Sequence, residues 1–330
     1  MTSHSLPRVS VIIEGYNESR GLGTAEATLE ALTRQDMPLG AVEVILVGRS
    51  ACTQPWQQRA ADPRPFQRIQ LIDDGDTLAY LEIKNEGARH ASGPIVVCTD
   101  SDVLPATTWL RSIVETIEAG ADVSVGPSLF QGHSFRGPLG AMRLAAASIT
   151  WGWIVGPLGA DGRPTPRGFM DHNVGLRAEV FADHRYCTEY GRILGAPLLF
   201  RALSASGARI KFHPDQQAAH HFSWHYWLVS LHFRYGYEVM TLRRIDPHYP
   251  NQWIRHTGPL EPIVSMGWHV ALDLPRWFRF SRLVGVPMKR RLRLFPLLLS
   301  LSLLARASEM VGGYATLISP AAMRRWAEAV

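Results

Sequence analysis

Two aspartates one residue apart, Asp100 and Asp102, follow directly on an apolar run, Pro94 to Cys98, that reads PIVVC. A short β-branched run of that kind is a buried strand, so both carboxylates are expected at its carboxyl end. Paired carboxylates there suit a hard divalent cation, Mg²⁺ or Mn²⁺, bridging protein to diphosphate oxygens. Such a cation offsets charge growing on a departing nucleoside diphosphate. Standing alone, Asp-x-Asp is more often a surface turn or a cap. A second polar cluster, Glu14 to Glu18, follows another such run, Arg8 to Gly15, RVSVIIEG.

These clusters need a scaffold. Arg8–Gly15, Val42–Val47, Arg68–Ile72 and Pro94–Cys98 read as strands, with Val123–Val125 a short fifth. Between them, residues 22–36 are helix-compatible and stop at Met37-Pro38-Leu39-Gly40; Thr77–Ala91 reads as loop then helix, and Thr107–Ala119 as helix. Strands alternating with helices predict a parallel sheet of right-handed βαβ units. In such sheets ligands bind beyond the carboxyl ends of the strands, where both polar clusters fall. Residues 126–175, rich in Gly and Pro with Trp151 and Trp153, suit a covering loop or subdomain. Asn173–Phe181 and Pro197–Gly207 read as helices, Arg209–Phe212 as a strand, and the aromatic, His-rich 222–245 as helical, forming either core or interface.

The chain has 330 residues, 46% of them apolar and 19% charged. That excludes collagen-like, low-complexity and disordered classes and allows one large domain or two small ones. Cys52, Cys98 and Cys187 are too few and too scattered for a disulfide framework or a zinc knuckle, which fits a reducing cytosol. MTSHSLPRVS carries no apolar h-region, so no signal peptide is expected and the localisation reads as cytoplasmic. Of the net charge of +5, residues 276–330 carry +8, from ten Lys/Arg against Glu309 and Glu328, leaving −3 for residues 1–275. The basic balance belongs to a tail, and no nucleic-acid partner is expected. Within that tail Arg290-Arg291-Leu292-Arg293 precedes an apolar stretch, Leu294–Ala305, interrupted by Pro296. A stretch that short falls below the roughly 20 residues a bilayer span needs. A basic cluster beside a short apolar helix is the pattern of an interfacial helix, seated peripherally on the inner face of the cytoplasmic membrane. The alternative is a core helix with a charged end.

Taken in order, the motifs resemble the family 2 glycosyltransferases with the GT-A fold. Val9–Glu18 (VSVIIEGYNE) is similar to the family's opening strand and Tyr-Asn-Glu loop, and Glu43–Ser50 (EVILVGRS) stands where a strand ending in acidic residues and Gly-Ser is expected. Asn85-Glu86-Gly87-Ala88-Arg89 with Ala91-Ser92-Gly93 resembles the stretch before the metal motif, and Asp100-Ser101-Asp102 with Pro105 resembles the motif itself. Asn173–Arg177 resembles the acceptor-side segment, Gly207–Ile210 with Pro214 and His220 the closing strand and histidine, and Phe233–Gly236 the Arg-Tyr-Gly that often follows. The likeness spans about residues 8–240. It implies an α/β, Rossmann-like, mostly parallel central sheet flanked by helices over residues 1–221, with a helical, partly basic-amphipathic extension over 222–330.

The resemblance implies transfer of a sugar from a UDP-sugar or GDP-sugar donor, assisted by Mg²⁺ or Mn²⁺. Tyr16 and Asn17 would lie near base and ribose, and Asp100, Ser101 and Asp102 would hold ribose and metal, with Asn85 on the donor side. His220 would be a metal ligand; the alternative is a packing histidine. Arg89 would contact base or diphosphate, or else pair with a surface acid. The acceptor is open between a lipid-linked molecule and a small metabolite. A processive synthase is not expected, because Pro275-Arg276-Trp277 lacks the glutamine of Gln-x-x-Arg-Trp and no membrane spans are read.

Three departures stand out. Val47-Gly48-Arg49-Ser50 lacks the aspartate that grips a uracil ring, which leaves Arg49 to contact phosphate. Glu14 replaces a small residue or proline, to bind ribose or base or to remain a solvated loop acid. Gly195 and Ala196 stand where inverting members carry an acidic pair, and general-base catalysis contributes about 10²–10⁴-fold. Asp171, His172 and Glu189 are the substitutes, with Asp171-His172 preferred because it directly precedes the acceptor-side segment; the alternative makes Asp171 a helix N-cap. An acceptor already ionised would need no base. Two other classes remain: a catalytically degenerate GT-A fold acting as a scaffold, which the missing base suggests, and a nucleotidyltransferase. The latter usually has a Gly-rich basic loop after the first strand, and Gly15–Gly21 has one arginine and an acid.

Overall fold

A computed structural model describes residues 8–18, 24–75, 77–190 and 194–329. Ser19-Arg20-Gly21 of the first loop, and the start of the helix expected from residue 22, lie outside the described residues. The chain packs as two compact units. The first comprises residues 1–128, 156–191 and 195–221, and the second 129–155, 192–194 and 222–330.

The strands are β1 (Val9–Glu14), β2 (Val42–Gly48), β3 (Arg68–Asp73), β4 (Ile95–Asp100), β5 (Val103–Pro105), β6 (Val123–Val125), β7 (Ser128–Phe130), β8 (Val155–Leu158), β9 (Pro164–Pro166), β10 (Val174–Arg177), β11 (Ile210–Phe212) and β12 (Ala218–His220). Seven of them form the central sheet of the first unit in the order β11-β6-β10-β4-β1-β2-β3. β1, β2 and β4 are buried along their whole length, as unbroken β-branched runs should be in a sheet covered on both faces. β3, at the edge, exposes Arg68 and Asp73. Strand order reverses at β1, whose neighbours are β2 on one side and β4 on the other. The register sets Glu14 beside Val47 and Asp100, so two carboxylates stand level at a topological switch point, where open α/β sheets bind ligands.

Two expectations are corrected. Residues 173–181 do not form one helix: Val174–Arg177 is a strand, and the helix starts at Ala178. The slot between β4 and β6 overrides local helical propensity. Val174 and Leu176 are fully buried in it, and Gly175 faces Ile113 so closely that a Cβ would collide with it. The sheet is therefore mixed, since β10 runs antiparallel to both neighbours. Asp171, followed by a strand, caps no helix.

In the second unit, the stretch expected as a covering loop or subdomain forms a helix over Pro138–Trp151. The tail's apolar stretch is longer than it reads: a single helix runs Phe295–Ile318, 24 residues, with Pro296 in its first turn, where proline is tolerated. By length and composition alone this helix could cross a membrane.

Candidate functional site

Six segments of the first unit converge at the carboxyl ends of β1 and β4. Glu14 ends β1 and is fully buried, not solvated as one alternative had it. Its Oε2 accepts the Asn17 amide N–H at 3.1 Å and its Oε1 the Ser101 N–H at 3.3 Å. Glu14 thereby ties the first loop to the Asp100–Asp102 turn. Ser101 Oγ accepts the Glu18 N–H at 3.0 Å. From the helix Ala25–Thr33, Thr28 Oγ1 lies within hydrogen-bond reach of the carbonyls of Asp100, Ser101 and Val103. The turn's backbone is thus held from two sides.

Asp100 is gripped by the helix Tyr80–His90. Tyr80 OH donates to Oδ2 at 2.7 Å, and Lys84 Nζ donates to Oδ1 and also to the Asp171 carbonyl at 2.8 Å. Gly87 lets this helix lie close to the sheet, since a Cβ there would sit 2.6 Å from Ile12. Burial opposes the Lys84 charge, but Asp100 and then Asp171 outweigh it and hold the ammonium above its usual pKa. Burial likewise opposes the Asp100 carboxylate, and Lys84 holds it below its usual value.

Asp102 Oδ1 accepts from Asn17 Nδ2 at 3.1 Å, and its Oδ2 lies 3.1 Å from His220 Nε2. β12, antiparallel to β5, delivers that histidine. His220 Nδ1 lies 3.2 Å from the His221 carbonyl, which only accepts, so Nδ1 carries the hydrogen. Its Nε2 therefore faces the Asp102 carboxylate oxygen, a pairing that a proton or a cation between the two would complete. Edge-on to His220, with ring centres 5.2 Å apart, lies His172. Its Nε2 is 2.9 Å from Ser128 Oγ, and its Nδ1 3.9 Å from Asp171 Oδ1. Burial, then His220, push the His172 imidazole down to about 3, so the ring is neutral at physiological pH. Ligand atoms of Asp100, His172 and His220 lie within 4.8 Å of one another, and so do those of Glu14, Asp100 and Asp102.

Among the described residues, Glu14, Asp100 and Asp102 are at most 3% exposed, with Lys84 on Asp100 and His220 on Asp102. Carboxylates crowded this closely in the interior repel one another, and burying them is costly unless they are paired or bound to metal. Three oxygen donors with a histidine nitrogen fit a divalent cation.

Beside this cluster is an open recess of about 220 Å³ lined by Tyr16, Gly48, Arg49, Asp74, Leu78 and Ile83. The carboxylate missing after β2 is therefore matched by one after β3. Asp74 went unnoticed in the sequence, although Asp73-Asp74-Gly75 ends a strand just as the other acidic clusters do. Lys84 and Tyr80 were missed too. Their signal was a lysine at helical spacing with Tyr80 and Gly87, on the face that is buried.

Other expected residues are not brought to the cluster. Asn85 clamps a loop: its Nδ2 donates to the Tyr186 carbonyl at 2.9 Å and its Oδ1 accepts the Tyr186 N–H at 3.1 Å. Arg89 pairs with Glu86 in the last turn of its helix, with its side chain 57% exposed. At 1.5 Å per residue it lies about 13 Å along the axis from Tyr80, toward the opposite edge of the sheet. Glu189 is exposed in the turn before residues 191–193. At Gly195 the packing leaves no room for an acid, since a Cβ would come within 2.5 Å of Leu81 Cδ1.

Comparison with known proteins agrees with this architecture. Residues 10–137 match the family model described as Glycosyl transferase family 2. Among solved structures, a mannosyltransferase from Pyrobaculum calidifontis, PcManGT in complex with GDP-Man and Mn²⁺, aligns over 96% of this chain and 89% of its own, with TM-score 0.59 and 16% identity. TarS 1-349 of S. aureus in complex with UDP aligns over 95% of this chain and 92% of its own, with TM-score 0.50 and 16% identity. No curated protein matches. The fold is GT-A: a central, mostly parallel sheet flanked by helices, with further helices at the C-terminus.

Proposed function

From a chain whose residues 10–137 match the Glycosyl transferase family 2 model, we propose an enzyme that moves a sugar from a nucleoside-diphosphate sugar to an acceptor presented beside Asp171. The observation that carries this is the convergence of three buried carboxylates, Glu14, Asp100 and Asp102, with the His172 and His220 nitrogens at the switch point. Asp102 and His220, with Asp100 at the shared edge, would hold the cation. A nitrogen donor among carboxylates suits Mn²⁺ better than Mg²⁺. When bound, the cation supplies charge neutralisation for the leaving diphosphate.

The remaining work falls to this chain's own groups. Tyr16, Arg49 and Asp74 line the recess that takes the base of a UDP- or GDP-sugar. Lys84 and Tyr80 fix the Asp100 rotamer, and Glu14 with Asn17 fixes the turn. His172, within ligand distance of His220 and Asp100, serves the cation side. Asp171, held by its carbonyl on Lys84 with its side chain 21% exposed, is the group placed to accept the acceptor's proton. An alternative, a scaffold on a degenerate fold, draws on the closed space at Gly195.

Calorimetric titration of the full chain with UDP- and GDP-sugars, in Mn²⁺ and in EDTA, separates the two. Metal-dependent micromolar binding of one donor supports the enzyme; no binding by folded protein supports the scaffold. Asp102→Asn should abolish donor binding. Asp171→Asn should keep donor binding and lower turnover about 10²–10⁴-fold.

A further inference from the structure

The second unit wears its apolar side chains outside. Among the described residues, fifteen large apolar side chains stand exposed, and all but Leu158 belong to this unit. The helix Phe295–Ile318 shows why. Its only two charged residues, Arg306 and Glu309, are buried at 4% and 6% exposure, together with Ser302 and Thr316. Leu304, Val311 and Ile318, spaced by seven, are 44%, 52% and 83% exposed. That spacing keeps them on one stripe, about 21 Å long at 1.5 Å per residue. The helix Glu261–Leu283 shares part of this pattern: it buries Glu261 and Asp273 while Ile263 is 49% exposed, with Arg282 exposed only in its last turn.

A helix on the surface of a water-soluble protein has the opposite pattern, with charge outward and aliphatics inward. Ionisable groups facing the bundle interior and aliphatics facing out are the pattern of helices in lipid. The inward charges are answered there: both nitrogens of an Arg306 fork reach Asp273, at 2.9 and 2.8 Å, and Ser302 donates to Asp273 at 2.7 Å.

Charge selects the occupant. Immediately before the stripe, the helix Met288–Arg293 reads MKRRLR and buries none of its residues. Arg290 and Arg291 are tied to the carbonyls of Phe135 and Val286, while Lys289 and Arg293 are exposed. Residues 276–330 total +8. A second copy of this chain would set +8 against +8, whereas an anionic headgroup layer complements it. We propose that the second unit docks into an anionic phospholipid bilayer, with Leu304, Val311 and Ile318 among the acyl chains and Met288–Arg293 at the headgroups. This does not rest on the proposed transferase activity.

Flotation of the full chain with vesicles tests it, using phosphatidylcholine alone or mixed with phosphatidylglycerol. The wild type should float with the mixed vesicles, on the order of tenfold more tightly than with phosphatidylcholine alone. Lys289→Gln with Arg293→Gln should erase that preference. Leu304→Ser with Val311→Ser and Ile318→Ser should weaken binding on the order of a hundredfold, with a wild-type thermal unfolding transition as the check on folding. In a separate variant, Val311→Trp, brominated acyl chains should quench the new indole fluorescence. Wild-type protein that stays at the bottom of the gradient, or an indole that bromine leaves unquenched, overturns the proposal. So does a serine variant that turns an oligomer into a monomer while floating like the wild type, since the stripe is then a protein interface.

Discussion

In the second unit, Asp273 and Glu309 are met by Arg306 and Arg276, two carboxylates against two guanidinium groups. Glu309 also accepts from His232 Nδ1 at 2.9 Å and His269 Nδ1 at 3.1 Å, so every oxygen of the pair has a donor within the chain. In the first unit, among the described residues, Glu14, Asp100 and Asp102 crowd one sheet edge, with Lys84 on Asp100 and His220 on Asp102. Both clusters are buried, and burial alone does not distinguish them. The arginine-paired, balanced cluster holds helices together; the carboxylate-rich, unbalanced one has the donor set of the proposed cation site. Counting charge against its local partners separates a structural network from a binding site more sharply than exposure does.

The largest expected effect tests the balanced side. Asp273→Asn leaves Arg306 and Arg276 with a single carboxylate between them, and breaking a buried pair costs about 3–5 kcal/mol. Thermal unfolding of the full chain should show that loss with or without Mn²⁺. A Tm within about 1 °C of wild type would mean that Asp273 contributes far less than a buried pair should.

Next in size is the effect of the cation on the unbalanced side. At a hundred times its Kd, a ligand that binds only the folded state stabilises it by about 2.7 kcal/mol. Mn²⁺ should raise the wild-type Tm accordingly. Asp102→Asn should lose that rise and, without metal, be no less stable than wild type, because it removes one of three crowded carboxylates. If Asp102→Asn is destabilised as strongly as Asp273→Asn, the two clusters are alike and the comparison fails.

A smaller effect is expected at Gly195. Gly195→Asp restores an acid at the position where the resemblance expects one, but its Cβ meets both Leu81 methyls, at 2.5 and 2.7 Å. Overpacking of this kind costs about 1–3 kcal/mol, and turnover should not rise. A gain in turnover would show that the site lacks only a base and that Asp171 does not supply it.

What was legible follows from how locally each feature is encoded. VSVIIE, VEVILV and PIVVC announce buried strands by composition, and their ends place Glu14 and Asp100 correctly. Val174–Arg177 was not legible, because its strand state comes from the slot between β4 and β6 and from the space Gly175 leaves for Ile113. Lys84 was hidden for the opposite reason. A lysine in a helix reads as solvated surface, and only the sheet beneath it reveals that it is fully buried against Asp100. The Phe295–Ile318 helix was cut short at Ala305 because Arg306 and Glu309 look like surface charge, whereas both point inward.

Arg89 carries the smallest prediction and the cleanest separation of motif from geometry. It shares a helix with Lys84, five residues on, and the motif places both before the aspartates. Lys84 lies on the buried face and reaches Asp100; Arg89 lies on the outer face and reaches Glu86. An exposed i,i+3 pair contributes only about 0.2–1 kcal/mol. Arg89→Ala should therefore shift stability by no more than about 0.5 kcal/mol, the usual range for surface changes, and leave donor affinity unaltered. Lys84→Met, in the same helix, should cost about 3–5 kcal/mol by stranding Asp100, with part of the loss recovered in Mn²⁺. Measured together by calorimetry and thermal unfolding, the pair asks whether position in a motif or position on a helix face assigns the role. A tenfold loss of donor affinity in Arg89→Ala would return the answer to the motif.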